Sequence, residues 1–93
     1  MFDKAKTLYE LKKIQSQLAK ETIEVSSGAV SVSINGEQKI KAVKIDRQKL
    51  DVDNLELLEK NIESAVTQAI TQSQQVAADK MKSIAGGLGI PGL

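Results

Sequence analysis

Apolar positions recur along the chain in three blocks, and the spacing inside each predicts its backbone. From about Phe2 to Glu24, residues Ala5, Leu8, Leu11, Ile14 and Leu18 return at three and four, with Lys and Gln among them and no Pro or Gly. That is the period of an amphipathic helix. Its apolar stripe is narrow, nearer to a coiled-coil seam than to the wide face of a helix in a large core, and suits a partner helix or a small sheet.

Between about Ile23 and Ile45 the period falls to two. Val30, Val32 and Ile34 alternate with Ser31 and Ser33, Asn35-Gly36 offers the two positive-φ positions of a tight hairpin turn, and Lys39 to Ile45 returns as a strand. Ile23 and Val25 alternate as well, so a further short strand or kinked extension is expected ahead of the Ser26-Ser27-Gly28 cluster. A two-residue turn would set Ile34 opposite Glu37 and Val30 opposite Lys41, leaving Ile40 and Ala42 on the other side from Val43 and Ile45. A bulge near Lys41-Ala42 would bring Ile40, Val43 and Ile45 onto one apolar face, and the pattern favours it.

The third block opens with Asp53-Asn54-Leu55-Glu56, the spacing of a capping box with Asp53 as cap. A long helix is predicted from there to about Ser83, following Leu55, Leu58, Ile62, Ala65, Ala69, Val76 and Ile84, with Ser73 and Lys80 in seam positions. Gly86-Gly87 is expected to end it. The domain reading is therefore one unit over 1–85 and a glycine-rich mobile tail over 86–93. Helix, two or three antiparallel strands, helix makes an α+β fold with helices on one sheet face.

Composition narrows the chemistry. With no Cys and no His among its 93 residues, the chain has no thiolate nucleophile, disulfide or Cys/His zinc site. Asp46, Asp51 and Asp53 lack the glycine and glutamate offsets of a calcium loop, so no metal is assigned. No cofactor or small-molecule substrate is expected either. Lysines and carboxylates alone could do chemistry, but no constellation of them converges, which leaves an enzyme as the weakest reading. No run is long enough for a membrane helix, and MFDKAKTLYE places charges where a signal peptide needs an apolar core, so a cytoplasmic location is expected. Phe2 and Tyr9 are the only aromatics, and so short a chain gains from a second copy.

Charge is uneven. Residues 1–49 hold ten basic and six acidic side chains, whereas residues 50–93 hold three and six. Lys6, Lys13 and Lys20 recur every seven residues down the first helix with Lys12 adjacent, and such a row can follow phosphates by charge alone. The plainer reading is a solvated face offset by Glu10, Glu21 and Glu24. A second group, Lys39, Lys41, Lys44, Arg47 and Lys49, is offset by Glu37 and Asp46; with Lys39 and Lys41 on one strand face, it reads equally as phosphate contact or as edge-strand protection. Base stacking needs aromatic platforms, and Tyr9 beside Leu8 reads first as packing. The polar Gln/Ser/Thr-rich middle of the second helix supports a competing reading, a module whose helical arms grip a partner protein.

One succession goes further. Val30-Ser31-Val32-Ser33-Ile34-Asn35-Gly36, then Val43-Lys44-Ile45-Asp46 and Leu50, then the long helix, Gly86-Gly87-Leu88 and Ile90-Pro91-Gly92-Leu93, resembles the YbaB/EbfC family of nucleoid-associated proteins over nearly the whole chain. The resemblance implies an α-β-β-β-α protein that forms a tweezer-like homodimer through its sheet region, with Val30, Val32, Ile34, Val43 and Ile45 as interface candidates. It also implies double-stranded DNA as partner, bound in the nucleoid with little sequence preference, and a part in nucleoid organisation and gene expression rather than catalysis. Lys6, Lys12, Lys13, Lys20, Lys39, Lys41, Lys44 and Arg47 are the candidate DNA contacts. Two positions depart from the family pattern: Arg47 stands where Pro is common, and Thr71-Gln72 where many members are basic.

Overall fold

The computed structural model describes residues 4–87, with side-chain surroundings through residue 83. The elements are α1 (Lys4–Lys20), β1 (Ile23–Ser27), β2 (Val30–Ile34), β3 (Ile40–Ile45) and α2 (Leu55–Gly87), the order the pattern predicts with all three strands present. They form one antiparallel sheet in the order β1-β2-β3. Helix α1 stops where Glu21 N–H is shared between the Gln17 and Leu18 carbonyls at 3.1 and 3.2 Å, just before β-branched Thr22 and Ile23 begin the first strand.

The β1–β2 connection is tight. Ser26 and Ser27 belong to β1, and Gly28-Ala29 alone turn the chain, with Gly28 at φ 57°. Glycine reaches that left-handed region without the penalty a Cβ would incur.

Asn35-Gly36 is not the two-residue turn its sequence advertises. Residues 35–39 form a five-residue loop closed by Asn35 N–H to the Lys39 carbonyl at 3.0 Å, and its positive-φ residue is Gln38, at 66°. The Asn35 side chain shapes that loop, its Oδ1 accepting from Glu37 N–H at 2.9 Å and Lys39 N–H at 3.0 Å. Gly36 serves another purpose. Its N–H donates to the Leu18 carbonyl at 2.8 Å, and a Cβ there would stand 2.7 Å from Leu18 Cδ2. The residue is small so that the end of α1 can touch the loop.

Lengthening the loop changes the register. Ile34 pairs with Ile40 and Val30 with Ile45, in place of the Glu37 and Lys41 partners of a two-residue turn. Ser33 pairs with Ala42, so Lys41 is the extra residue of a bulge. Ile40, Val43 and Ile45 thereby share the face of Val30, Val32 and Ile34, as the bulge reading requires. Lys39 lies in the loop, so it does not share a strand face with Lys41.

Helix α2 is capped one residue later than the sequence implies. Asn54 Oδ1 accepts from Leu57 N–H at 3.2 Å, while Asp53 donates its own N–H to Asp51 Oδ1 at 3.0 Å in the preceding turn. Asparagine and aspartate cap about equally well, so the competing turn decides. The helix runs unbroken through Gly86 and Gly87, which the sequence reading placed in the tail; the remainder of that tail, 88–93, lies outside the described residues.

Packing follows from small residues at a spacing of four. Ala65 and Ala69 let α2 settle on Val25, Val30, Val32 and Ile34, with Ile23, Leu58 and Val66 around them. Burying each of the large side chains contributes about 1.5–3 kcal/mol. The helix packs on β1 and β2 but, among the described residues, makes no packing contact with β3. Val30, Val32 and Ile34 are thus sealed inside one protomer, which corrects their assignment to a dimer face: they have no surface left to present.

Candidate nucleic-acid interface

Helix α1 shows two different sides. Leu18 is buried and Leu11 and Ile14 are half-buried where α1 packs against α2, whereas Lys6, Lys12, Lys13 and Lys20 are all exposed. Seventeen residues make a rod about 25 Å long, on which lysines seven apart stand about 10 Å from one another. At its C-terminal end, Glu21 lies 3.8 Å from Lys80 of α2. That pair is partly exposed and contributes roughly 0–1 kcal/mol, but it turns one of the nearby acids away from the lysine row. Lys12, Lys13 and Lys20 take no part in that pair and stand exposed.

The second basic group is scattered by comparison. Lys39 is in the β2–β3 loop, Lys41 is the bulge, and Arg47 and Lys49 lie between β3 and α2, where Asp46 Oδ1 accepts from Gln48 N–H at 2.9 Å. Lys44 pairs with Ser31 on the sheet face away from α2, beside a Ser26–Ser31 hydroxyl contact of 3.0 Å. All five cations are exposed. Nothing gathers them on one straight element, as α1 does its own.

Helix α2 adds length but little positive charge along its middle. Its 33 residues span about 50 Å, yet from Asn61 to Asp79 it contains no Lys or Arg. Any long-range attraction for a polyanion therefore originates from α1 and the β3 region.

Two features escaped the sequence reading. Beside the uncovered strand, Ile40, Val43 and Ile45 are 48%, 51% and 42% exposed, and Ile62 and Ile70 of α2 are also open to solvent. The row Asn61, Ala65, Ala69, Ser73 drifts across the sheet from the β1–β2 turn to the β2–β3 loop, so the next row, Ile62, Val66 and Ile70, lies on the β3 side. The result is one apolar flank shared by strand and helix. The signal for it was the bulge parity together with isoleucines bordering the alanine row. The second feature is a buried polar junction of Asn35 and Ser73, for which a serine in the seam was the only hint.

The described residues thus combine a half-covered sheet, a lysine-bearing helix and a long second helix. The chain belongs to the YbaB/EbfC DNA-binding family, which it matches over residues 1–88. It is 43% identical over 86 residues to a nucleoid-associated protein of Syntrophobacter fumaroxidans, covering 90% of this chain and 78% of that one. A nucleoid-associated protein of Roseiflexus castenholzii is 36% identical over 84 residues, covering 89% and 84%, and one of a Thermoanaerobacter species is 37% identical over 86 residues, covering 90% and 78%.

Proposed function

We propose that this chain is a nucleoid-associated protein that binds double-stranded DNA as a homodimer, through phosphates and with little reading of bases, and so contributes to nucleoid organisation and gene regulation. The observation that carries the proposal is the exposed row Lys6, Lys12, Lys13 and Lys20 on a straight helix, in a chain whose family is a DNA-binding one. Ammonium groups on a rod displace condensed counterions wherever they meet a phosphate, and they do so regardless of sequence. The basic residues of the β3 region, Lys39, Lys41, Lys44 and Arg47, are a supplementary surface.

Dimerisation rests on the uncovered flank. Val43 and Ile45 keep their role as interface residues and are joined by Ile40, Ile62 and Ile70 in place of the buried Val30, Val32 and Ile34. A second copy related by a two-fold axis would cover this flank with its own and double the number of lysine rods per particle. No helix among the described residues is long and apolar enough to cross a membrane.

A mobility shift on mixed-sequence duplex DNA across a salt series, with the mass measured by light scattering, tests both parts. The expected result is a dimer whose affinity falls steeply with salt. Absence of binding at low salt, or affinity indifferent to salt, rejects the phosphate mechanism, and a monomeric mass rejects the paired flank.

A further inference from the structure

Tyr9 occupies an unusual place for the single tyrosine of a chain this poor in aromatics. It is 67% exposed on α1 and belongs to no core cluster. Leu8 is exposed too, but it adjoins the packed stripe through Leu11, one turn away. Tyr9 points elsewhere. Its neighbours at minus three, plus three and plus four are Lys6, Lys12 and Lys13, so the ring stands among cations on the outer side of the rod. The packing role expected for it from sequence is not what its surroundings provide. Tyrosine is also a weaker helix former than the Lys and Gln around it, so local propensity does not account for the residue.

We propose that Tyr9 is a direct contact to the sugar–phosphate backbone of duplex DNA, its hydroxyl donating to a phosphate oxygen and its ring lying against deoxyribose, between the phosphates held by Lys12 and Lys13. The proposal rests on the DNA-binding reading above and assigns it a second, uncharged component. Lysine holds a phosphate as a point charge with freedom to slide, whereas a phenol on two χ angles fixes one donor in one place. Duplex bases stay stacked and give a lone aromatic no platform, so the partner surface is the backbone and not a base. Neutral contacts release no counterion. Tyr9 therefore adds affinity without adding to the salt dependence, in contrast to each lysine beside it.

The test separates these contributions. Tyr9→Phe removes only the hydroxyl and Tyr9→Ala the whole ring, both at a solvent-facing helix position, and circular dichroism with a light-scattering mass confirms that fold and assembly are retained. On mixed-sequence duplex DNA, Tyr9→Phe is expected to weaken binding roughly three- to tenfold and Tyr9→Ala further, with the slope of log K against log salt unchanged. Lys13→Gln is expected to lower that slope by about 0.9 for each copy whose lysine meets a phosphate. As an independent readout, 3-fluorotyrosine incorporated in the intact protein gives one fluorine resonance, and it should shift on addition of duplex DNA. Wild-type binding with an unmoved resonance and full affinity in Tyr9→Phe and Tyr9→Ala overturns the proposal while leaving the DNA reading in place. A loss that varies with base sequence overturns the backbone assignment. No wild-type binding at any salt removes the DNA reading itself, and this proposal with it.

Discussion

The hydroxyl of Ser73 donates to the Asn35 carbonyl at 2.7 Å and accepts from Gln38 N–H at 3.1 Å, tying α2 to the β2–β3 loop across 38 positions of sequence. Asn35 extends the link, for its Nδ2 donates to the Ala19 carbonyl at 3.4 Å at the end of α1. Both residues are buried, and the described side chains leave no buried polar atom unpaired. One small polar junction thus fixes two helices and a hairpin relative to each other, and with them the direction in which the lysine rod leaves the sheet.

Ser73→Ala should therefore cost about 1–3 kcal/mol, because the Asn35 carbonyl and Gln38 N–H lose a partner in a site from which water is excluded. Urea unfolding measures it: the midpoint should fall with the m-value unchanged. An unaltered midpoint would mean that water replaces the hydroxyl at no cost.

Gly28→Ala should destabilise by about 1–2 kcal/mol from the left-handed backbone alone, and by more because the new Cβ collides with the Asn61 amide of α2. The double variant Gly28→Ala with Asn61→Ala should recover the collision and keep the backbone cost. Equal stability of the single and double variants would contradict this division.

Gly36→Ala probes the arm and not the sheet. A Cβ at this position presses on Leu18, so α1 should loosen from the loop while β1, β2 and β3 stay paired. Hydrogen exchange is the measurement: faster exchange confined to α1 is expected, together with weaker DNA binding, and uniform protection in both regions would refute the idea.

Strand β3 and strand β2 should answer differently to the same insult. Val43→Asp places a carboxylate on the exposed flank and should give a folded monomer, whereas Val32→Asp places one in the sealed core and should unfold the chain. Light scattering and circular dichroism distinguish them. A native dimer carrying Val43→Asp would remove β3 from the interface.

Reversing Lys6→Glu together with Lys13→Glu should weaken binding to duplex DNA and flatten its salt dependence without changing the mass. If affinity held, the contact would move to Lys41, Lys44 and Arg47.

Much of the fold is legible in the sequence because local periods set it: α1, β2 and the existence of a long α2 follow from spacing alone, and the Lys41 bulge from the mismatch of two apolar faces. What escapes has a tertiary cause. Asn35-Gly36 reads as a turn because the local signal is strong, but Gly36 is needed by Leu18, which lies eighteen positions earlier in the sequence and outside any local window. Asp53 and Asn54 offer competing caps, and the choice depends on the turn at Asp51. The lysine row of the candidate site was plain from its seven-residue recurrence. The assignment of Val30, Val32 and Ile34 was not, since alternation marks a buried face without saying whether the chain's own helix or another copy buries it.

A strand left bare by its own helix would, if copies pair over it as proposed, tie the survival of each molecule to its supply. Under the proposed pairing, Ile40, Val43 and Ile45 would be sheltered only while copies meet, and fold stability would be inseparable from how much protein is present. Dilution would then hand them to chaperones and proteases. In the paired arrangement proposed here, scarce chains turn over quickly and plentiful ones persist, so that a cell would hold this protein in quantity or hardly at all.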